Sequence, residues 1–176
     1  MSLRFLDCNM QAVSQIFFQP TEVFMQMSLF NGALAGLVAT VPMTGAMFLM
    51  RRWQQPQVQS LPPEKVADGI AKKLEVDQDM DRSEKAAFTW LSHFGFGTGT
   101  GVLYPLVTPK PEEQSVLKGM LFGLGVWTVS YSGWIPAAGI LRFPTKQSRS
   151  QVALQIMTHL VWGGVLGALT PRLRLR

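Results

Sequence analysis

Cysteine is almost missing from this sequence, and so are charges within its long apolar stretches. Cys8 is the only cysteine among 176 residues, which excludes an intrachain disulfide and a cysteine-based metal site. Charged residues make up only 15% of the chain, against 47% hydrophobic residues. The charges gather in short blocks between long apolar runs, and that distribution is typical of membrane proteins.

The chain is nevertheless basic, with a net charge of +5. Neither a basic helix nor an RNA-binding motif accompanies this excess. In membrane proteins, surplus Lys and Arg residues usually lie in loops against anionic lipid. We therefore expect the lipid bilayer to be the partner of these residues, and we expect no nucleic acid.

Four apolar runs are each long enough to cross about 30 Å of hydrocarbon, which takes about 20 helical residues. Their length and lack of alternation exclude barrel strands. The sequence thus predicts an all-α, multi-pass integral membrane protein of the bacterial inner membrane or an equivalent membrane, with a four-helix transmembrane domain. The domain covers residues 29–170, with spans at about 29–50, 86–107, 117–141 and 151–170.

Two short segments flank this domain. Residues 1–28 lack the apolar core of a signal peptide, and we expect them to form an N-terminal interfacial segment. Residues 171–176 form a basic tail. Ten Lys and Arg residues fall in the first and third loops and six on the other side. This favours both termini outside.

The first loop contains an amphipathic pattern. After Pro62 and Pro63, the residues Val66, Ile70 and Leu74 recur every four positions between charged ones. This spacing predicts a short amphipathic loop helix opened by proline, which we expect to rest on the bilayer surface.

The spans also contain an internal repeat. The pattern His-x-x-x-Gly-x-x-x-Gly occurs in the second and fourth spans, and Gly-x-x-x-Gly opens the first and third. The residues of the longer pattern are His93, Gly97, Gly101, His159, Gly163 and Gly167. The four spans therefore read as two tandem helical-hairpin repeats.

Glycine at every fourth residue lets a neighbouring helix backbone approach closely. Packing within the chain explains most of these glycines. The same faces would also serve self-association or contacts with other membrane proteins, and the sequence does not separate these alternatives. Pro42 and Pro136 would bend their helices and free carbonyl groups.

His93 and His159 are the ionisable groups inside the spans, and such groups are candidates for function. In the first interpretation, each imidazole hydrogen-bonds a neighbouring helix, with Ser92, Thr158 or backbone carbonyls as partners. In the second, they are axial ligands of haem or chlorophyll, in a cofactor-binding site lined by Gly97, Gly101, Gly163 and Gly167. In the third, the histidines and the two prolines line a transport path.

The spans contain no carboxylate that would orient a catalytic base, and two histidines fall short of a zinc site. We therefore predict no catalytic residue and no metal-ion site.

Several short motifs resemble the YagU-like family of small bacterial inner-membrane proteins. They are the span ending at Arg51-Arg52, the Pro62-Pro63 helix, and the segments 92–97, 133–136 and 159–163. The resemblance covers roughly residues 29–170. It implies a helical membrane protein without established chemistry. Our first expectation is a non-enzymatic structural or accessory component of the membrane or of a membrane complex. A tetrapyrrole-binding subunit is the alternative, followed by a small transporter or channel.

Overall fold

The computed structural model describes residues 3–52, 60–108 and 115–174, with side chains placed in 25–52, 60–108 and 115–173. Helix makes up 85% of the chain, and the described residues contain no strand. The prediction of an all-helical fold is confirmed. The helices are α1 (Leu3–Arg51), α2 (Pro62–Lys73), α3 (Arg82–Val107), α4 (Ser115–Val129), α5 (Ile135–Ala137) and α6 (Arg149–Arg174).

Two helical segments are long and apolar enough to cross a membrane, namely Met25–Arg51 of α1 and Arg149–Leu173 of α6. Helix α3 is long enough, but its many glycine, serine and threonine residues dilute its hydropathy. Helix α4 has only 15 residues before the helical pattern changes. Two of the four predicted spans therefore meet this test. Helix α1 is continuous from Leu3, so it has no break where the predicted interfacial segment ends.

Helices α1 and α3 form the first hairpin, and glycines bring their backbones together. A Cβ atom added to Gly36 would overlap the carbonyl oxygen of Gly97, and one added to Gly101 would overlap that of Gly32. Only hydrogen fits at these positions, so the two backbones are in direct contact.

Helices α4 and α6 form the second hairpin in the same way. A Cβ atom on Gly119 would overlap the carbonyl oxygen of Gly163, and one on Gly123 would overlap that of His159. Gly167 faces the carbonyl of Ser115. The interpretation of the glycines as packing positions within the chain is confirmed, and these faces are taken up by intrachain contacts.

The two hairpins join through α1 and α6, whereas α3 and α4 barely touch. The indole Nε1 of Trp162 donates to the carbonyl of Gly36 at 3.2 Å. The amide of Asn31 donates to the carbonyl of Leu173, also at 3.2 Å. The helices therefore lie in the order α3, α1, α6, α4, which leaves a space between the two outer helices.

The third predicted span, residues 117–141, is interrupted. A π-helical turn over Ser130–Trp134 joins α4 to α5, and Gly133 leaves the helical region at φ −116° and ψ −108°. Pro136 has no N–H group to continue an α-helix. The N–H of Ile135 reaches back five residues, to the carbonyl of Ser130.

Helix α5 then ends in a Schellman motif. The N–H of Ile140 donates to the carbonyl of Ile135 at 3.1 Å, and that of Gly139 donates to Pro136 at 2.9 Å. Gly139 has φ +69°, a conformation that glycine adopts without cost. The helical path therefore ends at Ala137, four residues before the predicted end.

Helix α2 confirms the predicted short helix opened by proline. The N–H of Leu61 donates to the Glu64 carboxylate at 2.8 Å, which caps the first turn. Ala67 and Ala71 are buried, and Gly69 packs against the Ile140 side chain. The apolar face of α2 thus lies on the helical bundle, which differs from the expected position on the bilayer surface.

Candidate ligand cavity

A cavity of about 390 Å³ lies where the two hairpins and α2 meet. Helices α1, α2, α3, α4, α5 and α6 and the π-helical turn all contribute to its wall. The wall is mostly aliphatic and aromatic, and its described residues include no Asp, Glu, Lys or Arg. Its polar side-chain groups are hydroxyls, the imidazoles of His93 and His159, and the indole N–H groups of Trp134 and Trp162. The structure thus brings the two predicted site histidines to one cavity.

His93 is held by the first hairpin. Its Nε2 atom lies 3.2 Å from Oγ1 of Thr44 on α1. The single hydroxyl proton of Thr44 goes to the carbonyl of Thr40, at 2.7 Å. Thr44 therefore accepts from His93, so Nε2 carries the imidazole proton and Nδ1 carries the lone pair. This is an interhelical hydrogen bond of the kind that the first interpretation predicts.

His159 is held by its own helix. Its Nδ1 atom lies 2.8 Å from the backbone carbonyl oxygen of Gln155. A carbonyl only accepts, so Nδ1 donates and the lone pair is on Nε2. The side chain is 7% exposed. Within the described part of the chain, Nε2 has no hydrogen-bond partner.

Of the expected partners, a backbone carbonyl bonds His159, although it belongs to the same helix. Ser92 and Thr158 do not bond the histidines. The Ser92 hydroxyl donates to the carbonyl of Phe88, and that of Thr158 donates to Leu154 at 2.9 Å. Serine and threonine hydroxyls in helices commonly donate to the carbonyl one turn earlier. The partner of His93 came instead from α1, which helical spacing within α3 does not reveal.

Two further buried hydroxyls belong to residues of the cavity wall. Ser130 and Tyr131 line the cavity and are 3% and 6% exposed. The Tyr131 ring contacts His159 edge to face, with centroids 5.8 Å apart. No side-chain hydrogen bond is formed by either hydroxyl within the described residues. Neither residue was predicted as a site residue, although their position just before Gly133 and Pro136 was a signal.

The predicted glycines do not all reach the cavity. Gly97 lines it, whereas Gly101, Gly163 and Gly167 lie at helix contacts. These three have no free space in front of the α-carbon, so a macrocycle would not fit there. Pro42 is exposed on α1, and neither it nor Pro136 lines this cavity.

The two hairpins do not pair their GxxxG glycines in the same register. Gly36 contacts the Gly97 carbonyl in the first hairpin, and Gly119 contacts the matching Gly163 carbonyl in the second. Gly119 is therefore the counterpart of Gly36, although it opens its own motif. The Thr44 hydroxyl and the Tyr131 ring, which contact His93 and His159, come from different positions of the repeat.

The histidines fit a tetrapyrrole metal unequally. His159 has the arrangement of an axial ligand, because Nδ1 donates to a carbonyl and Nε2 carries a lone pair at the cavity. In His93 the Nε2 atom is protonated and bonded to Thr44, so only its Nδ1 atom could hold a metal. Among the described residues, no three His, Cys, Asp or Glu side chains form a group that could hold a metal ion.

Comparison with known proteins gives one match. No curated protein and no solved structure matches the sequence. The "Family of unknown function (DUF6789)" matches residues 26–176, which include both hairpins and every residue of the cavity wall. The resemblance to the YagU-like family is not addressed by this match and stays a prediction. The chain belongs to the DUF6789 family.

Proposed function

We propose that this chain is a four-span integral membrane protein with a non-enzymatic role, as a small structural or accessory component of a membrane or of a membrane complex. In this proposal α1, α3, α4 with its π-helical extension, and α6 all cross the bilayer. The two glycine-packed hairpins form one bundle, and α2 covers it at one end.

Exposed apolar side chains on α3 and α4 carry this proposal. These helices do not meet the length and hydropathy test, yet Leu91 is 76% exposed on α3 and Leu121 is 60% exposed on α4. Leu103, Val107, Leu117 and Val129 are also exposed. Soluble monomers rarely expose contiguous apolar surface of this extent, whereas a lipid-facing helix requires it.

The cavity chemistry supports a non-enzymatic role. Its hydroxyls, imidazoles and apolar side chains can hold a molecule by packing and hydrogen bonding. In serine hydrolases, a carboxylate orients the histidine base. The described residues of this cavity wall include no Asp or Glu.

Labelling of single cysteines from each side of the membrane tests the four spans. In a Cys8→Ser background, we would compare Gln78→Cys, between α2 and α3, with Glu112→Cys, between α3 and α4. Four spans place residues 78 and 112 on opposite sides, because α3 crosses the bilayer between them. Thr145→Cys should label from the same side as Gln78→Cys. Labelling of positions 78 and 112 from one side would contradict the proposal.

Tetrapyrrole binding is the second candidate, because both histidines line one cavity. A bound haem or chlorophyll would supply redox or light-absorbing chemistry. His159 is the residue that would hold its metal. His93 could take part only through its Nδ1 atom, because its Nε2 atom donates to Thr44. Gly101, Gly163 and Gly167 would also leave no room for the macrocycle, and this ranks the second candidate below the first.

A further inference from the structure

The geometry points to the cavity as a binding site for a hydroxyl-headed membrane lipid, that is, an alcohol or phenol with a long hydrocarbon body. This inference rests on the proposed four-span fold, since it takes the ligand from the surrounding bilayer. Three buried polar groups carry it. They are the His159 Nε2 atom and the hydroxyls of Tyr131 and Ser130.

Buried polar groups in native proteins almost always have partners, because an unpaired one loses its bonds to water without replacement. Here three such groups belong to residues that line one cavity, and within the described residues none of the three has a partner. The Tyr131 ring contacts the His159 ring, and Ser130 directly precedes Tyr131. His159, Tyr131 and Ser130 are each more than nine-tenths buried. A ligand that supplies the missing bonds accounts for all three.

The proton positions define the polar end of this ligand. His159 Nε2 has a lone pair, since the Nδ1 proton goes to the Gln155 carbonyl, so Nε2 needs a donor. The Tyr131 and Ser130 hydroxyls each have a proton to give, so they need an acceptor. A hydroxyl group donates once and accepts twice. A ketone, ester or ether oxygen would leave His159 unpaired.

The apolar walls define the rest of the ligand. Met43, Met47, Val66, Ile70, Val126 and Trp162 surround the polar groups. A volume of about 390 Å³ is within the range of small-molecule sites. The molecule must therefore be amphipathic, with its hydroxyl at His159 and its hydrocarbon along these side chains.

Phe96 and Trp134 mark the opening of the cavity. Both line it, both are about 40% exposed, at 43% and 39%, and their rings lie 6.4 Å apart. They therefore reach from the cavity to the outer surface, across the space between α3 and the π-helical turn. Along α3, Phe96 lies between the exposed Leu91 and Leu103. The opening thus lies at the same level along α3 as these exposed apolar side chains, so a lipid would enter it from the bilayer.

Thermal unfolding of the full-length protein in detergent tests this inference with paired probes. Tetradecanol and para-decylphenol would be compared with their methyl ethers, which accept but do not donate. Both hydroxyl probes can donate one hydrogen bond and accept two. A larger rise in Tm with tetradecanol would indicate an aliphatic alcohol as the lipid, and a larger rise with para-decylphenol would indicate a phenol. We expect a rise in Tm with at least one hydroxyl probe and little with its ether. Equal rises with probe and ether would overturn the inference.

Tyr131→Phe removes one of the three groups. It should weaken binding of the stabilising probe about fivefold to tenfold, the loss of one hydrogen bond. Tyr104→Phe is the matched control, because the Tyr104 hydroxyl donates to the Ser115 carbonyl at 3.2 Å and the residue does not line the cavity. An equal effect of the two substitutions would contradict the site.

A second variant adds a bulky side chain at an exposed position of the cavity wall. A Cβ atom on Gly95 meets nothing within 4 Å, and Gly95 lines the cavity. Gly95→Leu should abolish the Tm rise, whereas Gly99→Leu, equally unobstructed and outside the wall, should retain it. Retention in both variants would overturn the inference. The hydroxyl probes and their ethers could raise Tm equally while cysteine labelling still shows four spans. That result would refute the ligand site alone and leave the proposed membrane fold intact.

Discussion

The Nε2 atom of His93 donates to the Thr44 hydroxyl across the α1–α3 interface, at 3.2 Å. In the second hairpin, the rings of His159 and Tyr131 meet edge to face. The Nε2 atom of His93 is thus bonded across its hairpin, whereas within the described residues the Nε2 atom of His159 has no hydrogen-bond partner. The two histidines of the repeat therefore differ in their bonding.

Replacement of Thr44 by valine tests the structural role of His93. Thr44→Val removes the acceptor of the interhelical bond, so we expect a loss of about 0.5–2 kcal/mol in the free energy of unfolding. Thr128→Val is the control, because the exposed Thr128 hydroxyl bonds only within its own helix, to the Leu124 carbonyl at 2.9 Å. Denaturant unfolding in detergent measures both. Equal losses would mean that the bond to His93 contributes nothing.

An alanine at Gly123 tests the backbone contact between α4 and α6. The added methyl group would overlap the His159 carbonyl, so the helices must separate, at a cost of about 1–3 kcal/mol. Gly125→Ala adds the same group two residues later, where nothing lies within 4 Å. We expect it to be neutral or stabilising, since alanine favours helix. A stable Gly123→Ala protein would contradict the close approach.

Asp81 should make the start of α3 sensitive to acid. Its carboxylate accepts from the Glu84 N–H at 2.9 Å and from the Ser83 hydroxyl at 2.7 Å. These bonds, with that from the Ser83 N–H, lower the pKa of Asp81 below its ordinary value of 3.8. A lowered pKa in the folded state means that the ionised carboxylate stabilises the fold above the ordinary pKa. That contribution is lost as the pH falls through the folded value.

Asp81→Asn provides the comparison, because asparagine retains a capping oxygen but does not titrate. The Tm advantage of the native protein over this variant should be constant near neutral pH and should shrink below about pH 4. The measurement is thermal unfolding in detergent across this range. An advantage that grows with acidification would have the wrong sign for a carboxylate cap.

An absorption spectrum of protein purified from its native membrane separates the two candidate functions. We expect a colourless preparation. A Soret band that disappears in His159→Ala would instead establish tetrapyrrole binding. His93→Ala would retain much of that band, because His93 Nε2 is bonded to Thr44.

Helical periodicity and glycine spacing were sufficient to predict an all-helical fold with two glycine-packed hairpins, but not the interruption of the third span. Gly36 and Gly97 can contact each other because neither has a side chain. A glycine at every fourth residue therefore indicates a helix face on which another backbone packs. The same reasoning predicted α2 from Val66 and Ile70. The apolar residues of an amphipathic helix have the same spacing whether the helix packs on a bilayer or on other helices.

The cavity was not predictable in the same way. Its polar partners come from different elements, such as Thr44 on α1 and Tyr131 in the π-helical turn, and local spacing does not report which helix faces which. The sequence predicted that Pro136 would bend its helix, because proline lacks an N–H group. It did not predict the π-helical turn before Pro136 or the end of the helix at Ala137. The position of α2 depends on the contact between Gly69 and Ile140, which are distant in sequence.

Spin labels on the outer faces of α3 and α4 test the membrane fold most directly. Leu103→Cys and Leu121→Cys, in the Cys8→Ser background, would carry the label. Leu74→Cys, on the exposed residue that follows α2, would report the aqueous loop. The account predicts that oxygen relaxes the labels at positions 103 and 121 more than a water-soluble nickel chelate does, with the reverse at position 74. Strong relaxation by nickel at positions 103 and 121 would place α3 and α4 in water and contradict the four-span bundle.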